Sequence, residues 1–285
     1  MFVRRHMTRN AEMVNRISRL NDELRQARGQ LARYGELLVA IQRSILPQRL
    51  PEVRGLDLAV HFVQAERVGG DFYDVQPIGP EHWAIAVSDV SGHGLAAVAV
   101  MAMVHALGSA LHGHAPSLTP GAVLRLINRP LATRYLANTG QFVTAFVGWY
   151  DACRGALTYA SAGHPPPRLV RTGQVRRLDA ASGLPLGIDV AGRYEEAVVS
   201  LLPGDRLVFF TDGMTEATNA KREPFGDARF DAALSFPATT AAGLLRHVVD
   251  ALRDFRAGVP RKDDETCLVS IVQAATGDPT NEKMP

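Results

Sequence analysis

The chain has 285 residues, of which 46% are hydrophobic and 21% charged, an ordinary composition for a globular protein with a sizeable core. The net charge is only +2, and the 31 lysines and arginines are scattered, which argues against nucleic-acid binding. No apolar segment follows the basic residues 1–10, so no signal peptide is predicted.

A sustained heptad pattern covers residues 13–45, with period 3.5, which favours a left-handed coiled coil over a helix packed on a globular core. Its seam consists of Met13, Ile17, Leu20, Leu24, Ala27, Leu31, Tyr34, Leu38, Ile41 and Ile45. A parallel dimer is the default prediction, and the alternative is a single amphipathic helix lying on its own domain. Pro47 and Pro51 stop the helix, which places a domain boundary near residue 50.

Strands are predicted for residues 56–64 and 83–88, with a turn of positive backbone angles at Gly69 and Gly70 between them. The longest apolar run, residues 95–111, is marginal for a membrane span because it contains His105, and we predict a helix buried between layers. Thr119 and Pro120 cap a second helix that runs to about residue 135.

A hairpin of residues 142–150 and 156–161 follows, then short strands at 168–171, 175–178, 195–200 and 206–211. Thr239 or Thr240 caps a helix that runs to about residue 255, and the last strand is 266–273. This order predicts a mixed, largely antiparallel α+β layered fold in residues 51–274, before a disordered polar tail at 275–285. Cys153 and Cys267 are interpreted as reduced core residues in strands of a cytoplasmic protein.

Acidic residues stand at the ends of several predicted strands, namely Asp71, Asp89, Asp212 and the pair Asp263-Asp264. Carboxylates together with carbonyl groups and water suit Mg²⁺ or Mn²⁺, and no His or Cys cluster offers a zinc site. Two such ions could activate a water molecule and polarise a phosphoryl group. Spacing alone is weak support, because Asp-Gly and Gly-Asp are ordinary turn dipeptides.

Six short motifs occur in the order VGGDFYD (68–74), SDVSGHG (88–94), SAGHPPP (161–167), PGD (203–205), TDGMTEA (211–217) and KDDET (262–266). Together they resemble the RsbU/SpoIIE-type serine/threonine phosphatases, a bacterial branch of the metal-dependent, type 2C-like protein phosphatases. The resemblance covers about residues 45–273. It implies an α-β-β-α sandwich of two antiparallel sheets flanked by helices, which hydrolyses phosphoserine or phosphothreonine with a metal-activated water.

The resemblance also implies roles for individual residues, with two Mn²⁺ or Mg²⁺ ions at one end of the sandwich. The implied metal ligands are Asp71, Asp89 as the bridging ligand, the backbone carbonyl of Val90, Asp212 and Asp263. Asp264 is expected to be an acceptor behind them, and Asp74 is a weaker candidate.

Two histidines and one arginine in or near these motifs are further candidates for the site. His93 is either a general acid, beside the catalytic Asp71 and Asp89, or a residue that fixes the turn. His164 is interpreted as a structural turn residue. Arg67 is a candidate phosphate clamp because it is near Asp71 in the sequence.

The expected substrate is a phosphorylated signalling protein similar to an anti-sigma-factor antagonist. The other expected partners are a second copy of the chain, paired through the N-terminal helix, and a separate regulator that binds this helix. No nucleic acid and no membrane insertion are expected. Two alternatives stay open, a catalytically silent scaffold of the same fold and a coiled-coil assembly protein.

Overall fold

The computed structural model describes residues 2–65, 68–92, 94–113 and 117–274. The chain forms two compact units, with the division between Ile41 and Gln42. The first consists of most of helix α1 (Phe2–Ile45), which ends just before Pro47. The second unit begins in the last turn of α1 and contains two β-sheets with their flanking helices.

Ten strands are named in the described ranges: β1 (Leu56–Val63), β2 (Phe72–Gly79), β3 (His82–Val90), β4 (Val143–Asp151), β5 (Ala156–Ala162), β6 (Arg168–Arg171), β7 (Gln174–Arg177), β8 (Ala197–Ser200), β9 (Arg206–Phe210) and β10 (Glu265–Val272). The helices after α1 are α2 (Leu95–His112), α3 (Pro120–Pro130), α4 (Gly213–Glu216), α5 (Gly226–Leu234) and α6 (Ala241–Arg256). A π-helical turn, Leu131–Tyr135, continues α3.

The strands form two antiparallel sheets of five strands each. Sheet A has the order β1-β10-β9-β6-β7, and sheet B has the order β2-β3-β4-β5-β8. Helices α5 and α6 pack on sheet A, while α2 and α3 pack on sheet B. The predicted sandwich of two antiparallel sheets with outer helices is confirmed.

The main core lies between the sheets. Ile85 and Val87 of β3 and Phe146 of β4 meet Phe209 of β9 and Leu268 of β10 there, all fully buried. Because side chains alternate along a strand, every second residue of these strands faces the other sheet. This alternation decides which side chains at the strand ends point toward the space between the sheets.

Two details before β3 differ from the prediction. Gly69 and Gly70 do not have positive φ angles, so the predicted turn of that kind is wrong. The structure instead places strand β2 immediately after Asp71, where no strand was predicted. The glycines are needed for close packing, since a Cβ on Gly69 would lie 1.5 Å from Asp264 Oδ2.

Helix α2 is not buried between layers as predicted. It lies on the outer face of sheet B, where Ala97, Val98 and Met101 are buried and Leu95 is 44% exposed. Its exposed side also contains Ala96, Ala99, Ala106 and Ala110. Alanine has little apolar surface to expose, so an apolar sequence can still form an outer helix.

Cys153 was expected in a strand of the core but is exposed in the turn between β4 and β5, whereas Cys267 is buried in β10 as predicted.

Helices α4 and α5 were not predicted. The predicted disordered tail, residues 275–285, lies outside the described residues. No helix in the described ranges is both long and apolar enough to cross a membrane.

The heptad seam of α1 is exposed at Met13, Ile17, Leu20, Leu24, Tyr34 and Ile41, by 46% to 60%. A row of exposed large apolar side chains is unfavourable in water for an isolated helix. The coiled coil itself stays a prediction.

Candidate metal centre

Asp71 and Asp89 lie opposite each other at one end of sheet B. The pairing of Phe72 with Ser88 in the register of β2 and β3 places Asp71 across from Asp89. Asp71 lies two residues before Tyr73, and Asp89 lies two residues after Val87. Because Tyr73 and Val87 face the core between the sheets, both aspartates are on the same side of sheet B. Asp89 lies inside β3 and not after its end, because the strand continues to Val90.

Sheet A contributes two threonines that contact Asp71. The Asp71 side chain is 1% exposed, and its Oδ2 accepts hydrogen bonds from Thr211 Oγ1 at 2.7 Å and Thr266 Oγ1 at 2.5 Å. Thr211 follows β9 and Thr266 lies in β10, so one carboxylate connects the two sheets. Sequence reasoning missed both threonines, although each stands close to a predicted ligand within a quoted motif.

The second pair of acidic groups comes from loops beside sheet A. Asp212 precedes α4, and its carboxylate interacts with the backbone N–H of Gly213. Asp263 is exposed, and its Oδ1 accepts a hydrogen bond from the Asp264 N–H at 2.9 Å. The charges of Asp212, Asp263 and Asp264 all act on Asp89, so the structure brings the predicted carboxylates into one region.

Asp264 is buried and holds the segment that contains Asp71. Its Oδ1 accepts from the Ala65 N–H at 2.9 Å, and its Oδ2 accepts from the Asp71 N–H at 3.4 Å. Asp264 thus connects the backbone at Ala65 with the backbone at Asp71, and its role behind a metal ligand stays a prediction. The backbone of Asp264 is also packed tightly against Gly213, because a Cβ on Gly213 would lie 1.8 Å from the Asp264 carbonyl oxygen.

The Val90 carbonyl group, the predicted backbone ligand, is packed against Gly70. A Cβ on Gly70 would approach Val90 O to 2.7 Å, closer than side chains tolerate. Gly92 and Gly94, in the turn that leads into α2, have φ angles of 90° and 74°. Positive φ angles of this size favour glycine, because a residue with a side chain would be strained there.

The electrostatics of the site are those of crowded carboxylates. Burial, followed by the charge of Asp89, raises the pKa of Asp71 well above its ordinary value. Burial, together with Asp212 and Asp263, raises the pKa of Asp89 to about 7. The pKa of Asp212 is raised by burial and by Glu216. Each shift reports that negative charge is unfavourable here without a counter-charge.

The donor chemistry fits a hard divalent cation. The site presents carboxylate and carbonyl oxygens and no sulfur or imidazole ligand among the described residues, which suits Mg²⁺ or Mn²⁺. A cation would also offset the repulsion that raises these pKa values. In the described part of the chain, no group of three acidic, His or Cys side chains is already arranged around a single ion position.

The other candidate residues lie elsewhere or outside the described ranges. His93 and Arg67 are not among the described residues. Asp74 lies on the opposite face of β2 from Tyr73, where it lines a cavity of about 110 Å³ beneath α2. His164 is 5% exposed, with its Nδ1 2.9 Å from Thr144 Oγ1, and burial lowers its pKa to about 3. These contacts agree with a structural role for His164.

Glu265, in the motif at residues 262–266, is a buried acidic residue of β10 whose charge has nearby partners. It is 2% exposed and forms ion pairs with Arg256 of α6 and with Arg261, the latter at 3.0 Å. His61 Nε2 lies 3.4 Å from its Oε2. These partners outweigh burial and lower the pKa of Glu265, so its charge is compensated inside the fold.

Comparison with known proteins places this architecture in a family. The family model described as Stage II sporulation protein E (SpoIIE) matches residues 79–273. Phosphoserine phosphatase RsbU of Bacillus subtilis is 31% identical over 182 residues, which cover 64% of this chain and 53% of RsbU. Protein IcfG of Synechocystis sp. is 27% identical over 213 residues, which cover 66% of this chain and 33% of IcfG.

A structural comparison agrees. The SiaA-PP2C domain of Pseudomonas aeruginosa has a TM-score of 0.76 and 24% sequence identity, with 87% of this chain and 99% of that domain covered, so the two share a fold. The chain spans about a third of IcfG and about half of RsbU. Because the family model matches more than half of its residues, the chain belongs to the SpoIIE family.

Proposed function

We propose that this chain is a metal-dependent serine/threonine phosphoprotein phosphatase that hydrolyses a phosphomonoester on a signalling protein. The observation on which this rests is the cluster of carboxylates from both sheets, in which Asp71 bonds to Thr211 and Thr266. Such a cluster at the edge of a sandwich suits divalent cations and a phosphorylated substrate.

Two relatives support the reaction class. RsbU and RsbP of Bacillus subtilis are both named phosphoserine phosphatases, with 31% and 22% identity to this chain. The catalytic domain of the serine/threonine protein phosphatase PstP, whose fold this chain shares at a TM-score of 0.55, was solved with two manganese ions. The proposed cofactors here are two Mn²⁺ or Mg²⁺ ions.

The proposed ligands are Asp71, Asp89, the Val90 carbonyl, Asp212 and Asp263. When bound, the ions supply Lewis acidity that activates water and polarises the phosphoryl oxygens. Within the protein, Thr211 and Thr266 orient the Asp71 carboxylate, and Asp264 fixes the backbone that leads to it. His93 is proposed as the general acid for the leaving group.

The proposed substrate is a phosphorylated protein similar to an anti-sigma-factor antagonist, on the grounds of the family resemblance. We also propose that α1 pairs with a second copy through its exposed seam and is available to a separate regulator.

Both cysteines are free, which is typical of proteins in reducing compartments, and we propose a cytoplasmic location.

The test is hydrolysis of p-nitrophenyl phosphate and of a phosphoserine peptide with Mn²⁺, Mg²⁺ or EDTA. We expect turnover with either metal, none in EDTA, and a loss to background in Asp89→Asn. Asp254→Asn, at an exposed carboxylate of α6, is the matched control and should retain full activity. A folded wild-type protein that neither turns over substrate nor binds Mn²⁺ in calorimetry would instead be a silent scaffold.

A further inference from the structure

Gln42, in the last turn of α1, is a buried polar residue whose carboxamide forms three hydrogen bonds. Its side chain is 1% exposed, so its carboxamide needs partners inside the protein. Nε2 donates to the Gly69 carbonyl oxygen at 2.9 Å, and Oε1 accepts from the Gly69 N–H at 3.3 Å. Oε1 also accepts from Gln64 Nε2 at 2.5 Å.

This pairing resembles the one between two strand residues, with the carboxamide of Gln42 in place of a peptide group. Because both backbone groups of Gly69 are engaged, the contact fixes the orientation of the residue as well as its position. An apolar side chain at residue 42 could fill the same space, but it could not set this orientation.

The opposite side of the same segment contacts Asp264. Asp264 accepts from the N–H groups of Ala65 and Asp71, which lie before and after Gly69. The space between Gly69 and the Asp264 side chain is so narrow that a Cβ on Gly69 would lie 1.5 Å from Asp264 Oδ2. Gly69 is thus held between Gln42 and Asp264, two residues before Asp71.

We infer that Gln42 is a positioning residue for the metal centre, which holds the Gly69 backbone and thereby sets the placement of the Asp71 carboxylate. The inference rests on the proposed function for the identity of the ligand. It assigns a role to a residue outside the six motifs, 29 positions before Asp71 and on a helix whose heptad pattern does not include it.

The first test compares Gln42→Leu and Gln42→Glu with wild type by calorimetric titration of Mn²⁺ alone. Leu keeps roughly the same bulk and loses all three hydrogen bonds, while Glu keeps the shape but loses the donor to Gly69 O. We expect Mn²⁺ affinity to fall about 10- to 100-fold in both variants, the usual effect of losing a group that orients a metal ligand. Gln48→Leu removes an exposed glutamine that bonds to Arg43 O, and it should bind Mn²⁺ as wild type does.

The second test is amide hydrogen exchange in EDTA, which needs no metal and no activity. The N–H groups of Gly69 and Asp71 should exchange faster in Gln42→Leu, while those of Leu268 and Val269 in β10 keep their wild-type rates. Equal acceleration at all four amides would mean a general loss of stability and would overturn the inference. Unchanged Mn²⁺ affinity in a variant with faster Gly69 exchange would overturn it as well.

The two measurements separate this inference from the proposed function. If wild-type protein neither binds Mn²⁺ nor turns over substrate with either metal, the proposed function fails, and with it the metal-positioning role of Gln42. The exchange rates would then still decide whether Gln42 holds Gly69.

Discussion

At the scale of single residues, His164 shows how burial determines a charge state. It is fully enclosed, and burial lowers its pKa from 6.5 to about 3, with Phe210 opposing only part of the shift. The unfolded chain therefore binds one more proton than the folded protein between these values. The contribution of this residue to stability is lost as pH falls from about 6.5 toward 3.

We expect His164→Gln to reduce the loss of stability between pH 7 and pH 5 by about 2 kcal/mol, from 1.36 kcal/mol per pH unit. Urea denaturation of both proteins at the two pH values measures the difference. Parallel pH curves for wild type and His164→Gln would show that His164 is not the group responsible.

The pKa of Asp89 is shifted in the opposite direction from that of His164. Because its pKa is raised from 3.8 to about 7, the folded protein loses stability as pH rises through this range. In EDTA at pH 8, Asp89→Asn should be more stable than wild type by about 2–4 kcal/mol, since it removes one buried negative charge. Mn²⁺ should then raise the melting temperature of wild type and leave that of the variant unchanged. A variant less stable than wild type in EDTA would contradict this electrostatic account.

At the scale of elements, the N-terminus of α4 packs against the loop that precedes β10. A Cβ on Gly213 would lie 1.8 Å from the Asp264 carbonyl oxygen, and backbone cannot move aside cheaply. We expect Gly213→Ala to shift α4 and Asp212, weaken Mn²⁺ binding at least about tenfold, and destabilise the protein by about 2 kcal/mol or more.

The same substitution inside α2 provides the control. A Cβ on Gly108 would meet no heavy atom of the described residues within 4 Å, and alanine is the better helix former by about 1 kcal/mol. Gly108→Ala should therefore raise the melting temperature and leave Mn²⁺ affinity unchanged. If the two variants behave alike in calorimetry and thermal melts, close packing at Gly213 does not control the site.

At the scale of the whole molecule, the exposed seam of α1 predicts self-association. Leu24, a residue of the heptad seam that is 48% exposed, should lie in the centre of a dimer interface. Leu24→Asp is expected to give a monomer in analytical ultracentrifugation at concentrations where wild type is a dimer. Gln26→Asp adds the same charge off the seam and should remain dimeric. A wild-type monomer at all concentrations would refute the coiled coil.

Much of the architecture could be predicted from the sequence, because its signals are local. The hairpin at Asp151, the Thr119 cap and the glycine turn before α2 depend on neighbouring residues alone. Strand β2 was missed because its first residues belong to a glycine-rich motif that is typical of turns. Helix α2 was misplaced because its alanines count as apolar without requiring burial.

In the candidate site as well, some residues could be predicted from the local sequence and others could not. The carboxylates were recognisable at predicted strand ends and in the motifs. Their supports were not, because Thr211 contacts a residue 140 positions away and Thr266 one 195 positions away. Gln42 was missed for a similar reason, since its partner Gly69 is 27 positions away and only the folded chain brings them together.

The link between Asp71 and Thr266 also orders events during synthesis. Strand β10 lies between β1 and β9, so sheet A cannot close until the last named strand has left the ribosome. Contacts of such long sequence separation form late, because the loop between them must first be closed. A growing chain therefore presents Asp71 without the hydroxyl group of Thr266, and the candidate centre can assemble only after residue 266 has emerged. The proposed activity would thus be withheld from nascent chains by the order of the strands in sheet A alone.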